Sequence, residues 1–232
     1  VLAQVDTARR HGAREVHVIA TAAVRAAADG ADLVRAIADA TGLPVTVMSE
    51  AEEARLAFLG AAGMMDEAPA GALGVIDVGG GSSEIVVGRA PDRIDWWSSV
   101  AIGSGTLSDR HLLSDPPTAA ELAAARAVIA RLLPAQRPPR PDTAVAVGGS
   151  AASLCRVAGP VLDPDALRRS LDLLAAAPAA IVAERFGVDA ERARLLPAGL
   201  LILEAAADLL GTTVAIGRGG IREGVLLQAL RA

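Results

Sequence analysis

The amino-acid sequence predicts an α/β fold with a mixed sheet, organised as two domains. Short β-branched runs alternate with Ala- and Leu-rich helical stretches along most of the 232 residues. Between residues 74 and 103, three strand-like runs follow one another without a helix, which favours an antiparallel segment within the sheet. A turn-rich stretch at 64–72 marks a break in composition, so we predict one domain at 1–70 and a second at 71–232.

The elements of the first domain follow from periodicity and capping. Val16, Val18 and Ala20 alternate with polar neighbours, as in a half-buried strand. Ser49 followed by Glu52 has the spacing of a capping box, which predicts that a helix starts there. In order, the pattern predicts the end of a helix at 1–12, a strand at 15–21, a helix at 22–42 that breaks near Gly30, a strand at 44–49 and a helix at 49–63.

The second domain begins with two β-branched runs around the small residues GGGSS, which predict a hairpin. Thr118 and Glu121 have capping-box spacing and predict another helix start. The predicted elements are strands at 74–78, 84–88 and 93–103, a helix at 117–133, a proline-rich connection at 134–142, a strand at 143–149, helices as far as residue 211, a strand at 213–217 and a last helix.

Composition excludes several classes of function. The net charge of −5 argues against a nucleic-acid binder, and no apolar run reaches the roughly 20 residues that span a bilayer. The chain has no lysine, which excludes a P-loop GK[ST] motif and Schiff-base chemistry. A single cysteine, Cys155, excludes an internal disulfide and is typical of a reducing compartment, so we expect a cytoplasmic location.

The stretch GVIDVGGGSSEIVVG, residues 74–88, is the main candidate site. Asp77 closes the first strand of the hairpin and Glu84 opens the second, so the two carboxylates can face one another across the loop. Glycines 79–81 let backbone N–H groups approach an anion, and Ser82 and Ser83 add hydroxyl donors. Carboxylates beside a phosphate cradle suit Mg²⁺. The alternative is an ordinary polar hairpin loop.

Two further stretches have chemistry-bearing residues. In SEAEEAR, residues 49–55, Glu52 is explained by capping, whereas Glu53 is not and could project into a cleft. In AVAVGGSAAS, residues 144–153, a glycine pair and Ser150 lie between a strand and a helix, where anions bind. The same stretch approaches the GxSxG pattern of hydrolases, but all three histidines lie upstream of Ser150, which argues against that triad.

These stretches occur in a specific order and spacing. Together with IATAAVR and LLPAGLLIL…GGIREG, the chain resembles the exopolyphosphatase/guanosine pentaphosphate phosphatase family over its whole length. The resemblance implies two ribonuclease-H-like domains of the actin, Hsp70 and sugar-kinase superfamily. It also implies hydrolysis, dependent on Mg²⁺ or another divalent cation, of the terminal phosphoanhydride of inorganic polyphosphate or pppGpp. Members are often homodimers.

The resemblance also assigns roles by position. Glu53 matches the catalytic base that activates water, and Asp77 and Glu84 match the carboxylates that hold the metal. The positions that match contacts to phosphate are Thr21, Arg25, Gly79, Gly80, Gly81, Ser82, Ser83, Gly148, Gly149 and Ser150.

The chain departs from the family pattern in three places. Glu50 replaces a glycine, and Arg218 replaces an aspartate in the last motif. The family's first glycine hairpin, of the DxGSNS type, does not occur, so we expect an incomplete first domain. Either the chain is a piece cut from a longer protein, which we favour, or it has lost half of its phosphate cradle. The chain also stops soon after the REG helix, which matches the short form without a C-terminal helical domain. The alternatives are a catalytically silent phosphate or nucleotide binder of the same fold and a kinase-like member of the superfamily.

Overall fold

The computed structural model describes residues 1–67 and 69–231. The chain forms two compact units, Val1–Glu53 and Ala54–Ala232. The division falls within a helix, whereas the boundary predicted from composition lies at residue 70, between that helix and the following strand.

The first unit contains three helices and a small parallel sheet. Its elements are α1 (Leu2–Arg10), β1 (Val18–Ala20), α2 (Ala22–Ala26), α3 (Gly30–Thr41) and β2 (Val45–Val47). Strands β1 and β2 pair in parallel register, with Ile19 opposite Thr46. Both are shorter than predicted, but the expected helix break near Gly30 is confirmed as the gap between α2 and α3.

The second unit is built on one six-stranded mixed sheet. Its elements are α4 (Glu50–Gly63, which begins in the first unit), β3 (Leu73–Val78), β4 (Ser83–Arg89), β5 (Arg93–Val100), α5 (Ser104–His111), α6 (Ala119–Leu132), β6 (Thr143–Val147), α7 (Gly148–Ala158), β7 (Val161–Leu162), α8 (Pro164–Ala176), α9 (Ala179–Phe186), α10 (Ala190–Leu210), β8 (Val214–Ile216) and α11 (Ile221–Ala229). The strand order is β5-β4-β3-β6-β8-β7. Strands β3, β4 and β5 are antiparallel, and β3, β6 and β8 are parallel, which confirms the predicted α/β fold with a mixed sheet.

Alternate residues of the central strands enter two apolar clusters. Ile76, Val78 and Ile85 belong to the larger one, with apolar residues of α5, α6, α7 and α10. Val75 and Val86 point to the other face, where they join Phe58 of α4. Because a strand exposes successive side chains on opposite faces, β3 is covered on both sides. This double coverage fixes the position of the residues at the end of β3.

The helix caps largely follow the sequence. The Thr118 hydroxyl accepts from the Glu121 N–H, and the Thr118 N–H donates to Glu121 Oε2 over 2.7 Å. Hydrogen bonds from the Thr118 backbone and hydroxyl, with further ones from Ser114, lower the pKa of Glu121 to about 2. Ser49 and Glu52 form the second predicted capping box. Within the described ranges, no helix is both long and apolar enough to cross a bilayer.

Candidate active site

Asp77 and Glu84 stand directly opposite one another in the β3–β4 hairpin. By strand alternation, both lie on the sheet face that also carries Val75 and Val86. Only 7% of Asp77 and 2% of Glu84 is exposed. The Ser99 hydroxyl of β5 donates to Glu84 Oε1 over 2.9 Å. The hairpin therefore holds two buried carboxylates side by side at the mouth of its loop, as the sequence predicts.

Hydrogen bonds on two sides fix the orientation of the backbone in the hairpin loop. The Gly79 N–H donates to the Ser82 carbonyl over 3.0 Å and closes the turn. On the other side, the carbonyls of Gly79 and Gly80 accept from the N–H groups of Ser104 and Thr106, at 2.9 and 3.0 Å, at the start of α5.

A trans peptide unit points its N–H opposite to its carbonyl. The N–H groups of Gly80 and Gly81 therefore point away from α5. No backbone carbonyl among the described residues accepts from either. This arrangement matches the predicted nest of amides for an anion.

The approach of α5 to the loop depends on Gly103. A Cβ at this position would collide with the backbone of Gly79 and Gly80. By contrast, a Cβ at Gly80 would meet nothing within 4 Å. The loop is thus tightly held on one side and open on the other.

Ser83 differs from the sequence interpretation. It belongs to β4 and not to the loop, because its backbone pairs with Val78 and Val100. Its hydroxyl donates to the Ile102 carbonyl over 2.7 Å, and 1% of the residue is exposed. A hydroxyl has one proton to donate, and Ser83 already uses it in this hydrogen bond within the fold. It therefore has no proton left to donate to a phosphate oxygen. Ser82 is also buried, with 5% exposed.

The second glycine motif forms the first turn of α7. Gly148 has φ +85, and a Cβ there would collide with Asp77 Oδ1. A Cβ at Gly149 would come within 2.6 Å of the Arg192 guanidinium. The N-cap of α7, Val147, provides no side-chain cap to the first turn of this helix.

A cavity of about 360 Å³ joins the two glycine motifs. It is lined by residues from the end of β3, the hairpin loop, α5, α7, and the N-cap and first turns of α10: Val78, Gly79, Gly80, Ser104, Gly149, Ser150, Ser153, Asp189, Glu191, Arg192, Leu195 and Leu196. The structure therefore brings together four of the predicted phosphate contacts, Gly79, Gly80, Gly149 and Ser150. The other predicted phosphate contacts of this unit are close in sequence to residues that line the cavity but do not line it themselves: Gly81, Ser82, Ser83 and Gly148.

Arg192 is a candidate residue that sequence reasoning missed. It lies in the first turn of α10, where its N–H donates to the N-cap Asp189 over 3.1 Å. The Asp189 cap could have located this helix start, but an arginine on a helix is by default solvated. Only the fold places its guanidinium against Gly149.

The candidate residues of the first unit form their own cluster. Thr21 is the N-cap of α2. Arg25 forms an ion pair with Glu53, donates to the Met48 carbonyl over 2.6 Å and lies 3.9 Å from Glu50. Glu53 is 2% exposed. The ion pair with Arg25 holds the buried Glu53 carboxylate in one position.

The start of α11 brings a further acid close to Asp77. Arg218 is exposed and pairs with Asp66 over 2.7 Å. Asp77 Oδ2 and Glu223 Oε2 each lie within 4 Å of the point where a Cβ of Gly220 would stand. Glu223 is thus a carboxylate near Asp77 that the sequence did not single out.

Comparison with known proteins is decisive for the family. The sequence profile of the Ppx/GppA phosphatase family matches residues 4–232. The chain belongs to this family. The fold agrees, because the crystal structure of the Aquifex aeolicus Ppx/GppA member superposes with a TM-score of 0.81 at 26% identity, over 98% of this chain and 78% of that one.

Two further comparisons, one of sequence and one of structure, agree with the family. Exopolyphosphatase 1 of Mycobacterium leprae (strain TN) is 31% identical over 236 residues, which cover 94% of this chain and 69% of the relative. The crystal structure of an exopolyphosphatase from Cytophaga hutchinsonii shares the fold, with a TM-score of 0.83 at 21% identity over 98% of this chain and 78% of that one. The predicted resemblance is confirmed.

The donor set of this family member fits a shared metal site. Among the described residues, no group of three or more His, Cys, Asp or Glu side chains could hold an ion on its own. Mg²⁺ does not need such a cage, since it is commonly held by one or two carboxylates, waters and the oxygens of a bound phosphate. Asp77 and Glu84 could supply the protein's share of that set.

Proposed function

We propose that this chain hydrolyses the terminal phosphoanhydride of inorganic polyphosphate and releases orthophosphate. The observation that carries the proposal is the opposed pair of buried carboxylates, Asp77 and Glu84, joined directly to a loop whose Gly80 and Gly81 N–H groups point away from α5. A hydrolase of phosphoanhydrides needs charge neutralisation and positioning more than covalent chemistry. The hairpin offers both within eight residues of sequence, 77–84.

In this proposal the second unit binds the phosphate chain. Asp77 and Glu84 would hold Mg²⁺, which when bound neutralises charge on the phosphate oxygens. The N–H groups of Gly80 and Gly81 would donate to the terminal phosphoryl group, and the Ser150 hydroxyl and the first N–H groups of α7 to a neighbouring one. Arg192 would add a positive charge to the site. Because the chain has no lysine, this charge has to come from an arginine.

Glu53 would act as the general base. A water oxygen forms a bond to the terminal phosphorus as the bridging P–O bond breaks. The proton of the water passes to a Glu53 carboxylate oxygen, and the shortened polyphosphate leaves as an anion. Arg25 fixes the orientation of this carboxylate through their ion pair.

The lining of the cavity favours inorganic polyphosphate over pppGpp. Among the described residues, its walls contain glycines, serines, aliphatic side chains, one arginine and the acids Asp189 and Glu191, but no aromatic side chain on which guanine could stack. The name of the Mycobacterium leprae relative points in the same direction. A cytoplasmic location and a homodimer, which the sequence and the resemblance predict, stay predictions.

A single assay separates the substrates. Orthophosphate release is measured with short polyphosphate, long polyphosphate and pppGpp at equal concentration of terminal phosphate, with Mg²⁺ present. We expect release from polyphosphate, and loss of release in Asp77→Asn. Release from pppGpp alone would replace polyphosphate as the substrate. Binding of all three without release would identify a silent phosphate binder.

A further inference from the structure

Ser104 connects the two glycine motifs through its hydroxyl. Its Oγ lies 3.2 Å from the Gly79 carbonyl of the hairpin loop and 3.3 Å from Ser150 Oγ of α7. Only 3% of the residue is exposed, and what is exposed lines the same cavity as Ser150. No motif in the sequence singled out Ser104, because it starts a short helix that was not predicted.

The number of protons on these hydroxyls restricts the hydrogen bonds they can form. Each serine hydroxyl donates one hydrogen bond and accepts others. While Ser104 donates to the Gly79 carbonyl, the bond between the two serines has to be donated by Ser150. In that arrangement the Ser150 hydroxyl has no proton left for a phosphate oxygen.

Binding of phosphate at the first turn of α7 would reverse the direction of the hydrogen bond between the two serines. For Ser150 to donate to an anionic oxygen, it must accept from Ser104, so the Ser104 hydroxyl turns from Gly79 to Ser150. The turn leaves no carbonyl without a partner, because the Ser104 N–H also donates to Gly79 O, over 2.9 Å. A hydroxyl that accepts one bond donates a stronger one, since hydrogen bonds in a chain polarise each other.

We propose that Ser104 is a positioning residue that switches its hydroxyl from the Gly79 carbonyl to Ser150 when phosphate binds, and thereby makes Ser150 a donor. The inference rests on the proposed function for its ligand, a phosphate chain. In this proposal Ser104 acts through Ser150. Its contribution therefore exists only while the Ser150 hydroxyl is present.

A double-mutant cycle tests this dependence. The dissociation constant of tripolyphosphate is measured by titration calorimetry for the full chain, for Ser104→Ala, for Ser150→Ala and for the double variant. We expect Ser104→Ala alone to weaken binding about fivefold to tenfold, in line with one hydrogen bond to an anion-binding group. In the Ser150→Ala background, the same change should alter binding less than twofold.

Ser153 provides the matched control. It lies on α7 and lines the cavity, but no hydrogen bond joins it to Ser104 in the described part of the chain. Ser104→Ala should therefore weaken binding equally with Ser153 present or changed to Ala. Thermal midpoints without ligand should agree among the variants, and Ser104→Cys, a weak donor, replaces Ser104→Ala if that variant does not fold.

The outcomes separate the inference from the proposed function. Equal effects of Ser104→Ala with and without Ser150 would overturn the relay, as would unchanged binding or no tripolyphosphate binding by the unaltered chain. Non-additive binding in a chain that releases no orthophosphate would support the relay and reject the hydrolase. Release of orthophosphate with additive binding would do the opposite.

Discussion

Asp77 and Glu84 are a directly opposed cross-strand pair, buried on the same face of the sheet. Like charges directly opposite one another destabilise a sheet, and burial of a carboxylate carries a desolvation cost. Ser99 offsets part of this cost with its hydrogen bond to Glu84. We therefore expect that the hairpin keeps this pair at a cost in stability, as would be the case if the two acids serve a bound cation.

The first prediction is that neutral replacements stabilise the protein while they remove its activity. Asp77→Asn or Glu84→Gln relieves the repulsion with little change of shape. We expect the free energy of unfolding in urea at pH 7 to rise by about 0.5–1 kcal/mol. Orthophosphate release should fall at least about 100-fold.

Asp95→Asn is the control for this pair, since Asp95 lies on β5 with Arg89 and Arg93 as ion-pair partners. It should leave release unchanged. Lower stability of Asp77→Asn and Glu84→Gln than of the unaltered chain would show that the pair stabilises the fold and would contradict this account.

The hairpin could be predicted from sequence because its signals are local. Asp77, the glycines and Glu84 sit at fixed offsets between two β-branched runs, and strand period alone puts the two acids opposite each other. Helix α5 could not be predicted in this way. Its sequence SGTLSDRH is rich in residues of weak helix propensity, and the loop carbonyls that satisfy its first N–H groups come from distant residues.

Arg192 and Ser83 also show that local sequence does not reveal tertiary contacts. The sequence missed the first residue and assigned the second a role in phosphate binding. Arg192 has no local signal of function, and only the packing of α10 brings it to Gly149. Ser83 has a strong local signal, but its hydroxyl donates its hydrogen bond to the carbonyl of Ile102, outside the hairpin. In both cases, contacts with residues distant in sequence determine whether the side chain is available to the site.

The second prediction concerns Gly148, which has φ +85 and lies against Asp77. Gly148→Ala should reduce the free energy of unfolding by about 2–3 kcal/mol, since it adds a collision with Asp77 Oδ1 to the backbone strain. It should also lower orthophosphate release, because the carboxylate must move.

Gly159→Ala separates strain from collision. Gly159 also has φ +85, but a Cβ there meets nothing within 4 Å. It should cost about 1–2 kcal/mol of backbone strain and leave release unchanged. Equal losses of stability and activity in the two variants, measured by urea unfolding and phosphate release, would mean that Gly148 does not position Asp77.

The third prediction assigns substrate binding to Arg192. Arg192→Ala should raise KM for polyphosphate about tenfold or more with a smaller change in kcat, because one charge-assisted contact is lost. Arg194→Ala is the control, since Arg194 lies on the same helix but donates at 3.4 Å to the carbonyls of Leu112 and Leu113. An equal KM for both variants and the unaltered chain would remove Arg192 from the site.

The fourth prediction tests Glu53 as the base. Glu53→Gln keeps an acceptor for Arg25 but cannot take a proton, so we expect release to fall at least about 100-fold while the dissociation constant of tripolyphosphate stays within about twofold. Glu50→Gln is the control, because Glu50 is the other acid near Arg25 and its side chain is exposed. This variant should keep most of the activity. Turnover that survives Glu53→Gln would assign the base to another residue.

The most direct test of the account is the dependence of orthophosphate release on Mg²⁺ concentration, measured for the unaltered chain and for Glu84→Gln. If Asp77 and Glu84 hold the ion that meets the terminal phosphoryl group, chelation stops release and added Mg²⁺ restores it. The variant then needs at least about tenfold more Mg²⁺ or stays inactive at every concentration. Release that continues in chelator, or the same Mg²⁺ dependence in both proteins, would contradict it.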